Sequence, residues 1–277
     1  MALGESPLVT GQRPRYECLL LDLDDTLYPL SSGLAAACTN NIEDYVNQKL
    51  GVKKSRVPGL CRELYKTYGT TMAGLKAVGY VFDFDDYHRF VHGRLPYENL
   101  KPDPVLKNLL LSMPQRKIIF TNGDKVHASK VLNRLGLQDC FEGIICFETL
   151  NTLSQITENN NDWDMPIVNS TIPATPITCK PSKESIEQAL HLANADPQRT
   201  IFFDDSTRNI AAGKRAGLHT VLVGTSVRTE GADFALESIH NIREALPEIW
   251  EEENEERSKN VVRSRGAVAA IETVITA

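Results

Sequence analysis

The six cysteines, Cys18, Cys38, Cys61, Cys140, Cys146 and Cys179, show no C-x-x-C spacing. Several lie in apolar runs and read as reduced, buried thiols of an intracellular protein. No apolar stretch is long enough to span a bilayer. Residues 1–15 have neither an apolar h-region nor an Arg/Ser-rich amphipathic character, so neither a secretory signal nor a transit peptide is expected. The default location is the cytoplasm, with the nucleus also open. Positive charge is in short supply: 30 Lys and Arg stand against 36 Asp and Glu, a net charge of −6. That argues against a nucleic-acid polymer or an anionic membrane as the main partner. A small anionic ligand stays compatible, because local charge and a metal decide that. A length of 277 residues and 42% hydrophobic content suit one large domain or a core with an insert.

The most informative stretch is Tyr16 to Leu27. The apolar run Cys18–Leu21 ends abruptly in Asp22, Asp24 and Asp25. Such a run reads as a buried strand. Its carboxyl end would lie where open α/β sheets bind ligands. Period-two alternation would send the Asp22 and Asp24 side chains from the same face. Two carboxylates so close repel each other and lose hydration, and a divalent cation with oxygen ligands is the usual compensation. A strand running into an acidic turn is the plain alternative. The order Asp-Leu-Asp-Asp-Thr after an apolar strand resembles the first motif of the haloacid dehalogenase-like (HAD) phosphohydrolases. In that family the first Asp is the nucleophile and the Asp two residues on is the general acid/base.

After Tyr28 the pattern turns helical. Leu34, Cys38, Ile42, Tyr45, Val46 and Leu50 recur at helical spacing, with Gly51 as a C-cap. Further helices are expected near Pro58–Tyr68, Thr71–Val78 and Asp85–His92. Pro29 and the Leu95–Pro104 segment read as the two linkers of an inserted all-helical unit. It resembles the helical cap that HAD enzymes insert after the first motif. His88 and His92 stand four apart near Asp83, Asp85 and Asp86. That spacing suits a metal, but no third ligand is placed, so a solvated acidic face is the expectation.

Downstream, two segments end a strand in candidate site residues, and a third places one just before a helix. Lys117–Phe120 is a strand ending in Thr121-Asn122-Gly123, where a hydroxyl and backbone N–H groups can seat a phosphate. Gly143–Phe147 reads as a third strand. Asn151–Thr178 is long, polar and aperiodic, and reads as a surface loop. Lys180 stands before a helix that Pro181 or Ser182 opens. Cys179 beside it reads as a packing residue. Thr200–Phe203 is a strand ending in Asp204-Asp205-Ser206, with Asn209 beyond. His219–Gly224 is the last strand, Ala232–Trp250 the last helix, and Glu251–Arg257 a solvated charge run.

Jointly these segments resemble the four HAD motifs in order, over roughly residues 16 to 250. The resemblance implies an α/β fold: a Rossmann-like parallel sheet, strand order 5-4-1-2-3, with an inserted all-helical cap domain. The expected division is an N-terminal tail (1–15), a core (16–28 and 100–250, with the polar loop 151–178), a cap (29–99) and a C-terminal tail (251–277). The implied chemistry is two-step phosphoryl transfer through an aspartyl-phosphate. Asp22 attacks, and Asp24 protonates the leaving oxygen and then activates water. Thr121 and Lys180 hold phosphate oxygens, with Asn122 and Gly123 adding N–H groups. Mg²⁺ is the implied cofactor, held by Asp22, the Asp24 carbonyl and Asp205, with Asp204 assisting. Asp24 favours a phosphatase over a dehalogenase, which carries another residue there. The closer resemblance is to the pyrimidine 5′-nucleotidase group, through Asp22–Pro29, the Leu64–Leu75 stretch and the Leu95–Asp103 linker. It implies nucleoside monophosphates such as UMP and CMP. Candidate substrate contacts are Tyr68, Thr71, His92 and Arg94, each of which also fits plain packing or exposure. The alternatives are a phosphatase for another small ester, a phosphomutase, and a non-catalytic binding or regulatory protein.

Overall fold

The computed structural model describes residues 15–151 and 173–251. β1 (Cys18–Leu21) is buried at every position. Its side chains alternate between two apolar layers, as a parallel strand covered on both faces requires. Leu19 and Leu21 pack with Ile119 and Phe203, while Cys18 and Leu20 pack with Ile186 and Phe202. β1 pairs in parallel with β2 (Arg116–Phe120) and with β4 (Thr200–Asp204). β3 (Gly143–Ile145) flanks β2, and β5 (His219–Val223) and β6 (Phe234–Leu236) extend the sheet beyond β4. The six-stranded order is β3-β2-β1-β4-β5-β6. It contains the expected 5-4-1-2-3 order and adds one strand at the β5 edge. Leu21 stands level with Ile119 and Phe203. Asp22, Thr121 and Asp204 therefore reach one end of the sheet together.

Four helices lie between β1 and β2: α1 (Leu34–Gln48), α2 (Val57–Tyr68), α3 (Thr71–Ala77) and α4 (Phe84–Val91). Thr70 caps α3 by accepting from Ala73 N–H, and Asp83 caps α4 by accepting from Asp86 N–H. The insertion has its own apolar cluster around Tyr45, Leu64, Met72, Leu75 and Tyr87, which also takes in Phe147, Ile177 and Cys179 from the sheet domain. Then follow α5 (Pro104–Ser112), α6 (Lys125–Leu135), α7 (Phe147–Leu150), α8 (Lys183–Ala193), α9 (Thr207–Arg215) and α10 (Ile242–Ala245). Asp103, Asp124 and Ser182 supply side-chain caps for α5, α6 and α8.

Three expectations are corrected. Ala232–Trp250 is not one helix: it holds β6, the short helix α10 and two 3-10 turns. Three residues of β6 leave too little alternation to read, and Pro247 cannot continue a helix. β3 stops at Ile145, and Phe147 already opens α7. His88 and His92 are not on a solvated face: His88 is buried, and His92 is held among other side chains. The period of α4 places both toward Phe147 and α6 rather than toward water. Among the described residues no helix is long and apolar enough to cross a membrane. The N-terminal tail apart from Arg15, most of the polar loop and the C-terminal tail beyond Glu251 lie outside the described residues.

Candidate active site

Pairing of β1 ends at Leu21, and the Asp22 N–H still reaches Phe203 O at 2.8 Å. The chain then turns, with Leu27 N–H bonded to Leu23 O. The expected two-residue alternation stops there, so Asp22 and Asp24 find different partners. Asp22 is buried and accepts from Lys180 Nζ at 2.6 Å and from Thr26 Oγ1 at 3.2 Å. Burial pushes its carboxyl up, Lys180 opposes this, and Asp204, Asp205 and Asp24 push it further up.

Lys180 is 1% exposed. Its ammonium has three protons, and three acceptors meet it: Asp22 Oδ1 at 2.6 Å, Phe120 O at 2.7 Å and Asp204 Oδ2 at 2.8 Å. Burial would lower its pKa, but the two carboxylates outweigh that and raise it. Phe120 and Phe202 flank the ammonium at 5.0 and 5.6 Å from their ring centres. The Lys180 main chain is fixed by Asn122, whose Oδ1 accepts from its N–H at 2.8 Å and whose Nδ2 donates to its carbonyl at 3.1 Å. The Asn122 amide side chain thus faces the lysine segment. The Gly123 N–H is likewise engaged, by Thr121 Oγ1 at 3.0 Å.

The fourth strand end separates its two acids. Asp204 is fully buried. Its Oδ1 accepts from Ser206 N–H and from Asn209, and its Oδ2 accepts from Lys180 and Asn209. Asp205 is exposed, and desolvation together with the charges of Asp204 and Asp25 pushes it up to about 7. Asp22, Asp204 and Asp205 each present a ligand atom within 4.8 Å of the others. Asp25 adopts φ 57°, and its buried Oδ1 has no hydrogen-bond partner among the described residues.

Asp24 has a different environment. Its Oδ1 accepts from His127 Nε2 at 2.7 Å and from the Tyr28 hydroxyl. Burial alone would raise its pKa, but these two partners hold it at about 2. Above Asp24 opens a cavity of about 490 Å³, walled by Tyr28, Leu34, Cys38 and Ile42 and by Arg62 and Glu43. Of the four expected substrate contacts, Thr71 and His92 line it. Tyr68 and Arg94 are not among its walls: Tyr68 O accepts from Cys179 Sγ, and Arg94 pairs with Asp44 and lies over the Phe90 ring. Burial pushes the Cys179 thiol up, which fits a packing role.

Sequence reasoning missed His127, Tyr97 and Asp124. The available signal was Asp124 and His127 three apart at the start of α6, directly after Thr121-Asn122-Gly123. Asp124 caps that helix and holds His92 Nδ1, so it joins the insertion to the sheet domain.

A sequence profile of the haloacid dehalogenase-like hydrolases matches residues 16–217. The chain belongs to this family. Among known proteins, this HAD hydrolase is 25% identical over 227 residues to Phosphate metabolism protein 8 of Saccharomyces cerevisiae, a match covering 79% of the chain and 64% of the yeast protein. Two solved structures share its fold. CbbY of Rhodobacter sphaeroides, in complex with phosphate, has a TM-score of 0.52 at 18% identity, covering 82% of this chain and 96% of that one. The HAD-hydrolase YfnB of Bacillus subtilis, bound to magnesium, has a TM-score of 0.50 at 21% identity, covering 83% of this chain and 98% of that one. The membership accords with the parallel sheet and its strand order.

Proposed function

We propose that this HAD hydrolase is a phosphomonoesterase that works through an aspartyl-phosphate on Asp22. The observation that carries the reading is the convergence of Asp22, Thr121, Lys180 and Asp204 at one sheet end, with Asp24 beside the cavity. Asp22 attacks phosphorus, and its charge at that moment is favoured by the Lys180 ammonium. Asp24 gives a proton to the leaving oxygen and afterwards takes one from water. In the substrate-free state Asp24 is anionic, which suits the second step. The negative charge of an arriving phosphate raises its pKa and favours the protonated form needed for the first. Thr121 serves the phosphate oxygens, and Lys180, whose protons are taken by Asp22, Asp204 and Phe120 O, supplies positive charge to the nucleophile and the phosphate. Asn122 serves indirectly, by fixing the Lys180 main chain.

The acid-rich site fits a hard cation. Three carboxylates, Asp22, Asp204 and Asp205, cluster beside the Lys180 ammonium, and the donor set is oxygen only. Asp22, Asp205 and the Asp24 carbonyl would hold Mg²⁺, with Asp204 kept as a fixed neighbour by its hydrogen bonds. The ion would neutralise charge on the transferring phosphoryl group. The helical insertion acts as the cap, and its cavity takes the alcohol portion of the ester. The resemblance to pyrimidine 5′-nucleotidases points to UMP and CMP, and a pocket of about 490 Å³ with apolar walls, an arginine and a glutamate has room for such a group.

The test is Mg²⁺-dependent phosphate release from UMP, CMP, AMP, GMP, sugar phosphates, pyridoxal phosphate and phosphoglycolate. Preference for UMP and CMP is expected, with Asp22→Asn inactive. Activity on other esters alone would remove the nucleotide reading and keep the phosphatase. Substantial turnover by Asp22→Asn would remove the mechanism.

A further inference from the structure

The two oxygens of Asp24 are not equivalent. Oδ1 accepts from both His127 Nε2, at 2.7 Å, and the Tyr28 hydroxyl. Oδ2 accepts no hydrogen bond among the described residues. It faces the second strand end: a methyl placed on Gly123 would lie 3.9 Å from Oδ2 and 3.3 Å from Thr121 Oγ1. The oxygen without a partner therefore shares the space over Gly123 with the Thr121 hydroxyl.

His127 is itself fixed on every side. It is 2% exposed, and its Nδ1 lies 2.8 Å from the Tyr97 hydroxyl. An ionised carboxylate only accepts, so Nε2 carries the proton toward Asp24. The Tyr97 hydroxyl partners Nδ1 in either state, donating to a neutral ring and accepting from a protonated one, so both nitrogens are satisfied. The His92 ring stacks on His127 with centres 4.4 Å apart. One carboxylate organises this stack: Asp124 Oδ1 holds His92 Nδ1, while Asp124 Oδ2 accepts from the His127 N–H at 3.3 Å. His92 and His127 also wall a second cavity on the far side, shared with Tyr97 and Lys130. The stack is thus a partition, and Asp24 is fastened to its inner surface.

We propose that His127 is a positioning residue that selects which oxygen of Asp24 does proton work: it immobilises Oδ1 and leaves Oδ2 to exchange a proton with the reacting ester. The inference rests on the reading of Asp24 as general acid/base. In the first half-reaction the Oδ2–H bond breaks and the ester oxygen gains that proton. At the same time its bond to phosphorus breaks and the bond from phosphorus to Asp22 forms. In the second, a water oxygen bonds to phosphorus and loses a proton to Oδ2, and the bond from phosphorus to Asp22 breaks. The sum is ester plus water giving alcohol plus phosphate.

The test compares first-turnover alcohol release for two esters. One is p-nitrophenyl phosphate, whose phenolate leaves without a proton. The other is UMP, or whichever alkyl monoester of the panel turns over fastest. With His127→Phe the alkyl ester is expected to slow by about 100-fold, the lower end of what a positioned general acid contributes, while the aryl ester changes little. His127→Gln, whose amide can replace the Nε2–H donor, is expected to restore most of the alkyl rate. Tyr97→Phe, which removes only the far partner, is expected to give a smaller loss of the same ester selectivity, and it serves if His127→Phe does not fold. Equal losses on both esters, or no loss on the alkyl ester, would overturn the positioning role. Failure of the underlying reading looks different: Asp24→Asn would then keep its first-turnover rate on the alkyl ester.

Discussion

Lys180 shows what a single buried charge costs and secures. An ammonium taken from water is tolerated only where its protons are met, and here Asp22, Asp204 and Phe120 O meet all three. Removing it strands two buried carboxylates. Lys180→Met is therefore expected to destabilise the protein by about 3–5 kcal/mol, read from the midpoint and slope of urea unfolding. An unchanged midpoint would mean that the carboxylates share a proton or a cation in its place. At this scale the sequence was most readable for acids at strand ends, because a run such as Ile201-Phe202-Phe203 cannot continue into Asp204-Asp205 without reaching the edge of the core. It was least readable for His127. Its contact with Asp24 spans 103 positions, and no local spacing encodes it. Asn122 was legible as a site residue but not in its partner, since an amide side chain can face a phosphate or a neighbouring main chain equally well.

Helix α4 carries the same lesson at the level of an element. Its four-residue repeat was visible, yet the acids before it suggested a wet face. Asp83 is instead the N-cap, and the histidine face packs on Phe147 and α6. Burial, with the neighbouring His92 charge adding to it, lowers the His88 pKa to about 4. The native state then keeps His88 neutral while the unfolded chain protonates it below about 6.5. The unfolded state binds more protons in that window, so stability falls as pH drops from 7 toward 4. We expect the stability of His88→Phe, relative to the wild type, to rise by on the order of 2–3 kcal/mol over that range, since each unit is worth about 1.4 kcal/mol. Parallel pH profiles for the two proteins would show that His88 titrates normally. Strands β1, β2, β4 and β5 were readable because each carries at least three consecutive buried apolar residues, as burial on both faces demands. β6 was not, because three residues show no period and the following Ile239, Ile242 and Leu246 imitate a helix.

For the molecule as a whole, sheet and insertion are tied on both sides of the cavity. On one side Asp124 and His92 join α6 to the residue after α4. On the other, Arg208 of α9 donates to the carbonyls of Tyr65 and Lys66 at the end of α2 and lies over the Tyr65 ring. If Mg²⁺ binds at Asp22 and Asp205, it binds the folded chain alone and must stabilise it. At a concentration 100 times its Kd the gain is about 2.7 kcal/mol. The melting temperature of the wild type is expected to rise with Mg²⁺ and that of Asp205→Asn to rise much less. Equal shifts in both would place the ion elsewhere.

The two parts also meet at Gly69, which has φ +89° at the end of α2. A side chain there would come within 2.5 Å of the Lys180 carbonyl oxygen. The residue that ends a helix of the insertion thus abuts the peptide that carries the buried Lys180 ammonium. Exchange of insertions between relatives is constrained accordingly. A foreign helical module grafted between β1 and β2 would have to present a glycine, or a shorter chain, at this one point. Otherwise the graft would reshape phosphate chemistry before its own pocket ever met a substrate, so inheritance of specificity and inheritance of catalysis are not separable in this chain.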